Sequence, residues 1–515
     1  MSELVSVSLP LKRYLVLGLG QTGQAAARWL ASQGAELVLA DTRPEAATAT
    51  FHAQITAVSA LQGFEVQWRL GQDLTADVVV AIDAIVVSPG LVPTDPAIAP
   101  ILQAARAQGK ALIGDIELFA QALAQLAQTH NHMPTVLGIT GTNGKTTVTA
   151  LTRHMLEAAG MRARAAGNIS PAALDALAED LSKPQEAWAQ AWVLELSSFQ
   201  LHYVQSLSLK AATVLNVTQD HLDWHGSFEA YCQDKAKIYE HAQLKIVNRD
   251  DAASRQMVSA IDLAEVRSFG SDHPVCSHDV GLELNHGVRW LVSAEPQEFE
   301  DQIKPVRKRK GAEPQPRSAG RLVRLMPADA LPMVGMHNVS NVLAAGLLAR
   351  AAGAGWGPIL KAASQYQGEA HRMQFIRTIR EVDFFNDSKG TNVGATVAGL
   401  LGLSRPVVLI AGGQSKGQDF TPLAQALKQC ARAVVLIGED ASRIEETLSA
   451  HSIDSHASTS LAEAVRQAFE LAHAGDAVVL SPACASFDMF RGYPHRGDSF
   501  VSEVLELGLS LGEVA

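Results

Sequence analysis

The stretch "GITGTNGKT" at residues 138–146 decides how the chain is read. A P-loop follows the pattern G-x-x-x-x-G-K-[ST]. Anchored on Gly144, Lys145 and Thr146, that pattern needs a glycine where the chain has Ile139, and Gly138 falls one residue early. The surroundings still make it a phosphate loop, of variant form. A strand-like run, "TVLGI", precedes it, and a helical run, "TVTALTRHMLEAAG", follows it. Gly141 and Gly144 permit close backbone approach, Lys145 can pair with β/γ-phosphate oxygens, and Thr146 can bind Mg2+. A chance glycine cluster is not expected to put Lys-Thr at a helix start directly after a strand.

A second glycine turn stands near the beginning. "GLGQTG" (18–23) follows the run "YLVLGLG", opens a helical stretch and satisfies G-x-G-x-x-G, and Asp41 ends the next strand-like run. Such a turn lets backbone approach a pyrophosphate on a helix N-terminus, with an acid for ribose hydroxyls. NAD is the obvious ligand, but a UDP-sugar meets the same geometry. Two phosphate sites disfavour a simple dehydrogenase, which needs one.

Outward from these loops, Val/Ile/Leu runs alternate with helical stretches, the mark of parallel α/β sheets. "AIVVSPG", "AWVLELSS", "AATVLNVT", "VDFFNDS", "RPVVLIAGG", "AVVLIGED" and "DAVVLSPA" are the further strands. Three α/β domains in series are expected, Rossmann-like at both ends and of P-loop ATPase type in the centre. Their boundaries fall at 1–114, 115–368 and 369–515. Residues 304–321, "KPVRKRKGAEPQPRSAGR", break the rhythm and read as a solvated insertion. At 515 residues, 47% hydrophobic and 18% charged, the chain can bury several cores. Its net charge of −11 argues against nonspecific nucleic-acid binding. Four cysteines far apart, without a C-x-x-C pair, exclude a disulfide framework and fit a reducing compartment. No basic leader precedes the first apolar run, and no run is long enough to span a bilayer.

Further polar residues gather at strand ends. Glu195 closes a buried strand, where a carboxylate is costly unless paired or bound to a cation. A Mg2+ ligand and a hydrogen-bonded core glutamate are both open readings. "NVTQDHLDWHG" packs Asp220, His221, Asp223 and His225 after another strand. Its His-x-x-x-His spacing admits zinc, although the phosphate loop favours Mg2+. "NDSKGTN" (386–392), "AGGQSKGQDF" (411–420) and "SPACASFDMF" (481–490) are polar turns at one sheet edge, where open α/β folds bind ligands.

"GITGTNGKTT", "ELSSFQL", "NVTQDHLD", "GMHNVSNVLAA", "HRM", "NDSKGTN" and "SPACASFDMF" together resemble the Mur ligase family, in the same order and over essentially the whole chain. "TGTNGK" alone would also suit folylpolyglutamate synthase, which lacks the "GLGQTG" domain. The resemblance implies a cytoplasmic, monomeric ligase of peptidoglycan precursor synthesis, with no nucleic-acid partner and no membrane insertion. Its substrates are ATP, D-glutamate and UDP-MurNAc-L-Ala, joined through an acyl phosphate, with two Mg2+ ions. It implies that Gln21, Thr22, Asp41, Thr42, Arg43, Ser88, Gly90 and Asn168 bind the UDP substrate, with His221 further along it. Gly141, Thr142, Asn143, Gly144, Lys145, Thr146 and Thr147 take the ATP phosphates, and Asn338, Asn341, Arg372 and Asp387 the rest of the nucleotide. Lys416, Ser486 and Phe487 form the D-glutamate pocket. Lys145, Glu195, His221 and a carbamylated Lys235 are the implied catalytic set, and Thr146, Glu195, His221 and Lys235 the metal set. Gly390 departs from the family, which usually has Ala there.

Overall fold

The computed structural model describes residues 13–43, 49–71, 74–258, 265–297, 317–333, 335–403, 405–415 and 417–513. The strands form three sheets, one for each expected α/β domain. The first holds β1 (Arg13–Leu17), β2 (Glu36–Asp41), β3 (Val66–Leu70), β4 (Ala84–Val87) and β5 (Ala111–Ile113) in the order β3-β2-β1-β4-β5, all parallel. The order reverses between β1 and β4, which opens a crevice at their C-terminal ends, where such sheets bind ligands.

The second sheet has nine strands: β6 (Thr135–Thr140), β7 (Ala163–Gly167), β8 (Ala191–Glu195), β9 (Leu209–Val214), β10 (Ala242–Asn248), β11 (Val266–Phe269), β12 (Val280–Asn285), β13 (Val288–Glu295) and β14 (Arg321–Pro327). They run β14-β13-β12-β11-β10-β9-β6-β8-β7, with the phosphate loop leaving the middle of the parallel part. The β12–β14 extension is antiparallel, which the expected strand–helix alternation did not include. His286 and Gly287, with φ of 48° and 80°, make the two-residue left-handed turn that joins β12 to β13. Residues 304–316 of the expected insertion lie outside the described residues. From Arg317 onward the segment is not solvated loop: the buried Asp279 accepts from Arg317 Nη2 at 2.8 Å, and Arg321 starts β14.

The third sheet orders β15 (Gln374–Ile379), β16 (Val382–Asn386), β17 (Val407–Gly412), β18 (Ala431–Ile437), β19 (Ser455–Ala457) and β20 (Ala477–Leu480) as β15-β16-β20-β17-β18-β19, with only β15 antiparallel. Its central strands are apolar on both faces and are covered by separate cores, around Leu409 and Val479 on one side and Ile410 and Val478 on the other.

The three sheets fall into two compact units, residues 1–327 with 342–363, and residues 328–341 with 364–515. One apolar core explains why the first unit holds two sheets. Trp29 and Leu30 of the first sheet's helix Gln21–Ser32 share it with Leu174, Leu177 and Trp192 around the second. Phe119, on the helix Asp115–His130, meets Trp192 edge-on at 5.2 Å, a contact worth about 0.5–1.5 kcal/mol beyond its burial. Polar stitches add to it. Arg28 forms a bidentate pair with Asp175, and Glu117 accepts from Gln205 N, Ser206 N and Ser206 Oγ.

Candidate active site

The phosphate loop begins where β6 ends. Gly144 caps the helix Lys145–Ala158 with φ of 83°, a left-handed conformation that favours glycine. No side chain caps that helix, so its first N–H groups stay available to an anion. The loop is clasped from outside: Asn143 N donates to Asn216 Oδ1 at 2.9 Å, and Asn216 Nδ2 donates back to Asn143 O at 3.1 Å. Thr142 Oγ1 bonds Thr218 O and lies 3.0 Å from the Tyr231 hydroxyl. Asn216 and Tyr231 therefore shape the loop, although sequence reading passed over both. Asn216 stood within a quoted motif, while Tyr231 carried no signal.

Glu195 ends β8 almost fully buried, and its cost is met by partners. Thr146 Oγ1 donates to Oε2 at 2.7 Å, and Asn168 Nδ2 donates to Oε1 at 2.9 Å. Two expected site residues, one from the helix after β6 and one following β7, thus converge on the carboxylate that ends β8. A hydroxyl beside a carboxylate is an oxygen donor set that suits a hard cation such as Mg2+.

Lys145 Nζ donates to Gly141 O at 2.8 Å and to Thr142 O at 2.9 Å. Lys235, on the helix Phe228–Glu240, also donates to Gly141 O, at 3.1 Å, and lies 4.4 Å from the centre of the Tyr231 ring. Lys235 is only 2% exposed, unlike an ordinary surface lysine of a helix. Burial first, and the neighbouring Lys145 charge second, hold its pKa well below the ordinary lysine value. Two lysines thus share one carbonyl, and burial of Lys235 favours its neutral form. His221 stands beside them in a left-handed conformation, φ 53°, and burial lowers its pKa as well. His225 faces elsewhere, with Nε2 3.0 Å from Ser198 Oγ and Nδ1 3.1 Å from Asp234. The His-x-x-x-His pair therefore does not converge. Among the described residues no group of three or more His, Cys, Asp or Glu side chains is arranged for a metal, which removes the zinc reading.

At the first sheet's crevice, Gln21 and Thr22 open the helix after β1, and Ser88 and Gly90 follow β4. A Cβ on Gly23 would lie 1.8 Å from Gly18 O, so that glycine serves chain packing. Gly20 and Gly90 have nothing within 4 Å of a Cβ, so space for a ligand remains there. Asp41 accepts from Leu19 N at 2.7 Å and from Arg43, and Thr42 lies between the pair. Burial would raise the Asp41 pKa, but the bonds from Arg43 and Leu19 outweigh it and keep the group below its ordinary value.

The second unit holds the remaining residues, among them Arg372. Asn341 Nδ2 donates to Asn338 Oδ1 at 3.2 Å on the helix Met336–Ala351. Asp387 follows β16, accepts from Ser481 Oγ at 2.6 Å and Met373 N at 3.1 Å, and is pushed up to about 7 by burial. Ser486 is buried and Phe487 exposed; Lys416 lies outside the described residues. A Cβ on Gly390 would fall 2.6 Å from Ser481 Oγ and 2.7 Å from Asp387 Oδ2, so the departure from Ala matches a tight turn. Sequence reading missed Arg496. It is 1% exposed and donates to Ser388 Oγ at 3.0 Å, Ser388 O at 2.9 Å and Cys484 O at 3.1 Å, fastening "NDSKGTN" to "SPACASFDMF". Its own stretch, "YPHRGDSF", holds no pattern that reveals this role.

Three family models match in series: the N-terminal domain of MurD-like Mur ligases over 12–114, the Mur ligase middle domain over 139–349, and the Mur ligase glutamate ligase domain over 371–484. The chain belongs to the Mur ligase family. It is 54% identical over 507 residues to the UDP-N-acetylmuramoylalanine–D-glutamate ligase of Bordetella bronchiseptica, covering 97% of each chain. It is 46% identical over 502 residues to the like-named ligase of Burkholderia cenocepacia, again covering 97% of each. Among solved structures it is similar to the UDP-N-acetylmuramate–alanine ligase MurC of Thermotoga maritima, with TM-score 0.52, 17% identity and 96% and 100% coverage. It is also similar to MurF of Acinetobacter baumannii, with TM-score 0.54, 19% identity and 90% of each chain. These two structures share the fold.

Proposed function

We propose that this Mur ligase adds D-glutamate to UDP-MurNAc-L-Ala with consumption of ATP; its relatives are named for the same ligation. The observation that carries the reading is the cluster of Lys145, Lys235, Thr146 and Glu195 around one phosphate loop, in a chain that also leaves open space at Gly20 and Gly90. The L-alanyl carboxylate attacks the γ-phosphoryl group of ATP and ADP leaves; the D-glutamate amine then attacks the acyl-phosphate carbon, loses a proton and displaces phosphate, and an amide results. Lys145 places a cation where charge develops on the β/γ-phosphates. Asn168 and Thr146 hold Glu195 in register for that site. Thr146 and Glu195 would hold one Mg2+, and His221 with Lys235 a second; Mg2+ supplies charge neutralisation on the phosphoryl oxygens.

The neutral Lys235 amine suits carbamylation. Its Nζ lone pair attacks the carbon of CO2, an N–C bond forms, and the proton passes to water, leaving an anionic two-oxygen head. Residues 1–114 take the UDP moiety, 115–368 the ATP phosphates, and 369–515, with Arg372, Asp387, Ser486, Phe487 and Lys416, the amino acid and the rest of the nucleotide; Asn338 and Asn341 precede that last segment in sequence. No helix among the described residues is long and apolar enough to cross a membrane. Phosphate release tests the reading. With ATP and UDP-MurNAc-L-Ala present, D-glutamate should drive release, while L-glutamate, L-alanine and meso-diaminopimelate should not. Release driven equally by L-glutamate would overturn it.

A further inference from the structure

β7 is the terminal strand of the nine-stranded sheet, bound only by β8 on its inner side. In this parallel register Arg162 O accepts from Ala191 N, and Asn168 N donates to Glu195 O. Residues on the Arg162 and Asn168 phase therefore bond inward, and Ala163 and Ala165 turn their N–H and C=O groups outward. On that side neither has a hydrogen-bond partner among the described residues. Ala163 is 8% exposed, and outward N–H and C=O groups of an edge strand are a template for pairing with another strand.

These outward groups line a cleft of about 380 Å³ that also takes in Arg153, Arg162, Arg164 and Lys183. Arg164 is engaged by Glu179 at 2.7 Å and Asp180 at 3.4 Å. The other cations are held loosely. Arg153 is 3.9 Å from Glu157, Lys183 is 3.7 and 3.6 Å from Glu179 and Asp180, and Arg162 uses Nε on Trp188 O at 3.0 Å. Four cations at one cleft stand out in a chain of net charge −11. The cleft sits toward the N-terminal end of β7, whereas Asn168, which touches Glu195, follows its C-terminal end.

We propose that the outer edge of β7 is a docking site for an extended, carboxylate-rich peptide segment, which adds as a strand while its acidic side chains meet Arg153, Arg162 and Lys183. Main-chain bonds to Ala163 and Ala165 supply register, and the cations select the acidic partner. A charged edge normally deters strand addition. Here it deters a second copy of this chain, which would bring another basic edge, and it favours a segment of opposite charge.

The test uses the full chain and fluorescein-labelled acetyl-Glu-Val-Glu-Val-Glu-amide, which is as long as the five residues of β7. Fluorescence anisotropy at low salt should give saturable binding, and the Arg153→Gln/Lys183→Gln double variant should weaken it about tenfold or more. Both side chains are about half exposed and make only loose ion pairs, so fold and ligase turnover should be unchanged. A peptide of the same charge, N-methylated at alternate residues, should bind far less tightly to the unsubstituted protein. Equal affinity for the methylated peptide would show charge attraction without strand addition and overturn the proposal. Absence of binding at about 1 mM peptide, the range of weak docking, would also overturn it.

Discussion

Asp387→Asn should stabilise the second unit in a pH-dependent way while impairing the site. Burial pushes the Asp387 carboxyl from its ordinary 3.8 up to about 7. Between those values the folded state keeps a proton that the unfolded state releases, so stability falls as pH rises and levels off above pH 7. Roughly three units at about 1.36 kcal/mol each put the full cost near 4 kcal/mol at alkaline pH. Asparagine avoids that ionisation. Its Oδ1 can still accept from Met373 N, and Ser481 can turn its hydroxyl to Thr396 Oγ1, now 3.0 Å away. The two units need not unfold together, so a global melt is a poor readout. Hydrogen exchange of peptides covering β16 reports the second unit directly. From pH 5.5 to 7.0, after correction for intrinsic rates, protection should drop about 16-fold in the unsubstituted protein relative to the variant. Parallel pH slopes, or a variant less protected at pH 7.5, would refute the argument that Asp387 is buried as an acid.

Lys145→Ala should lower turnover by two or more orders of magnitude, about 3 kcal/mol of lost charge stabilisation, with circular dichroism unchanged; near-normal phosphate release in a folded variant would contradict the phosphate-loop assignment. Lys235→Ala should be nearly inactive and partly rescued by formate or acetate, whereas an active, unrescued variant would end the carbamate reading. Gly23→Ala should lower Tm through the 1.8 Å approach to Gly18 O. Gly20→Ala should keep Tm and raise Kd for UDP-MurNAc-L-Ala in calorimetry; an unaltered Kd would show that the space at Gly20 is not ligand space.

What the sequence made legible was local. The strand–turn–helix setting of "GITGTNGKT" marked the phosphate loop despite its faulty spacing, because β6 and the helix after it carry their own periodicity. Glu195 stood out as an acid at the end of an apolar strand, whereas Asp387 was reached only through the family resemblance. The partners of these groups were less legible, because they come from distant chain. Asn216 clasps Asn143 across 73 residues, and Arg496 reaches Ser388 across 108. No periodicity encodes such pairs. Burial of Lys235 was likewise hidden, since its helix is mostly polar and only the packing of Tyr231 and Gly141 over it excludes water. The β12–β13 hairpin was overlooked because attention to the strand–helix rhythm masked a two-residue His-Gly turn.

The chain leaves the first compact unit at Pro327, contributes residues 328–341 to the second, and returns for 342–363 before leaving again. During synthesis on a ribosome, the first unit therefore lacks its last piece until well after its two sheets have emerged. That piece brings Trp356, whose indole donates to Glu295 Oε1 at 2.8 Å at the end of β13. Dissection meets the same difficulty from the other side. A fragment beginning at residue 364 omits the helix start that carries His337, which packs against Gly402. Neither unit can be cut out as one continuous piece of chain, so an evolutionary exchange of the second unit between relatives has to carry two separate segments together.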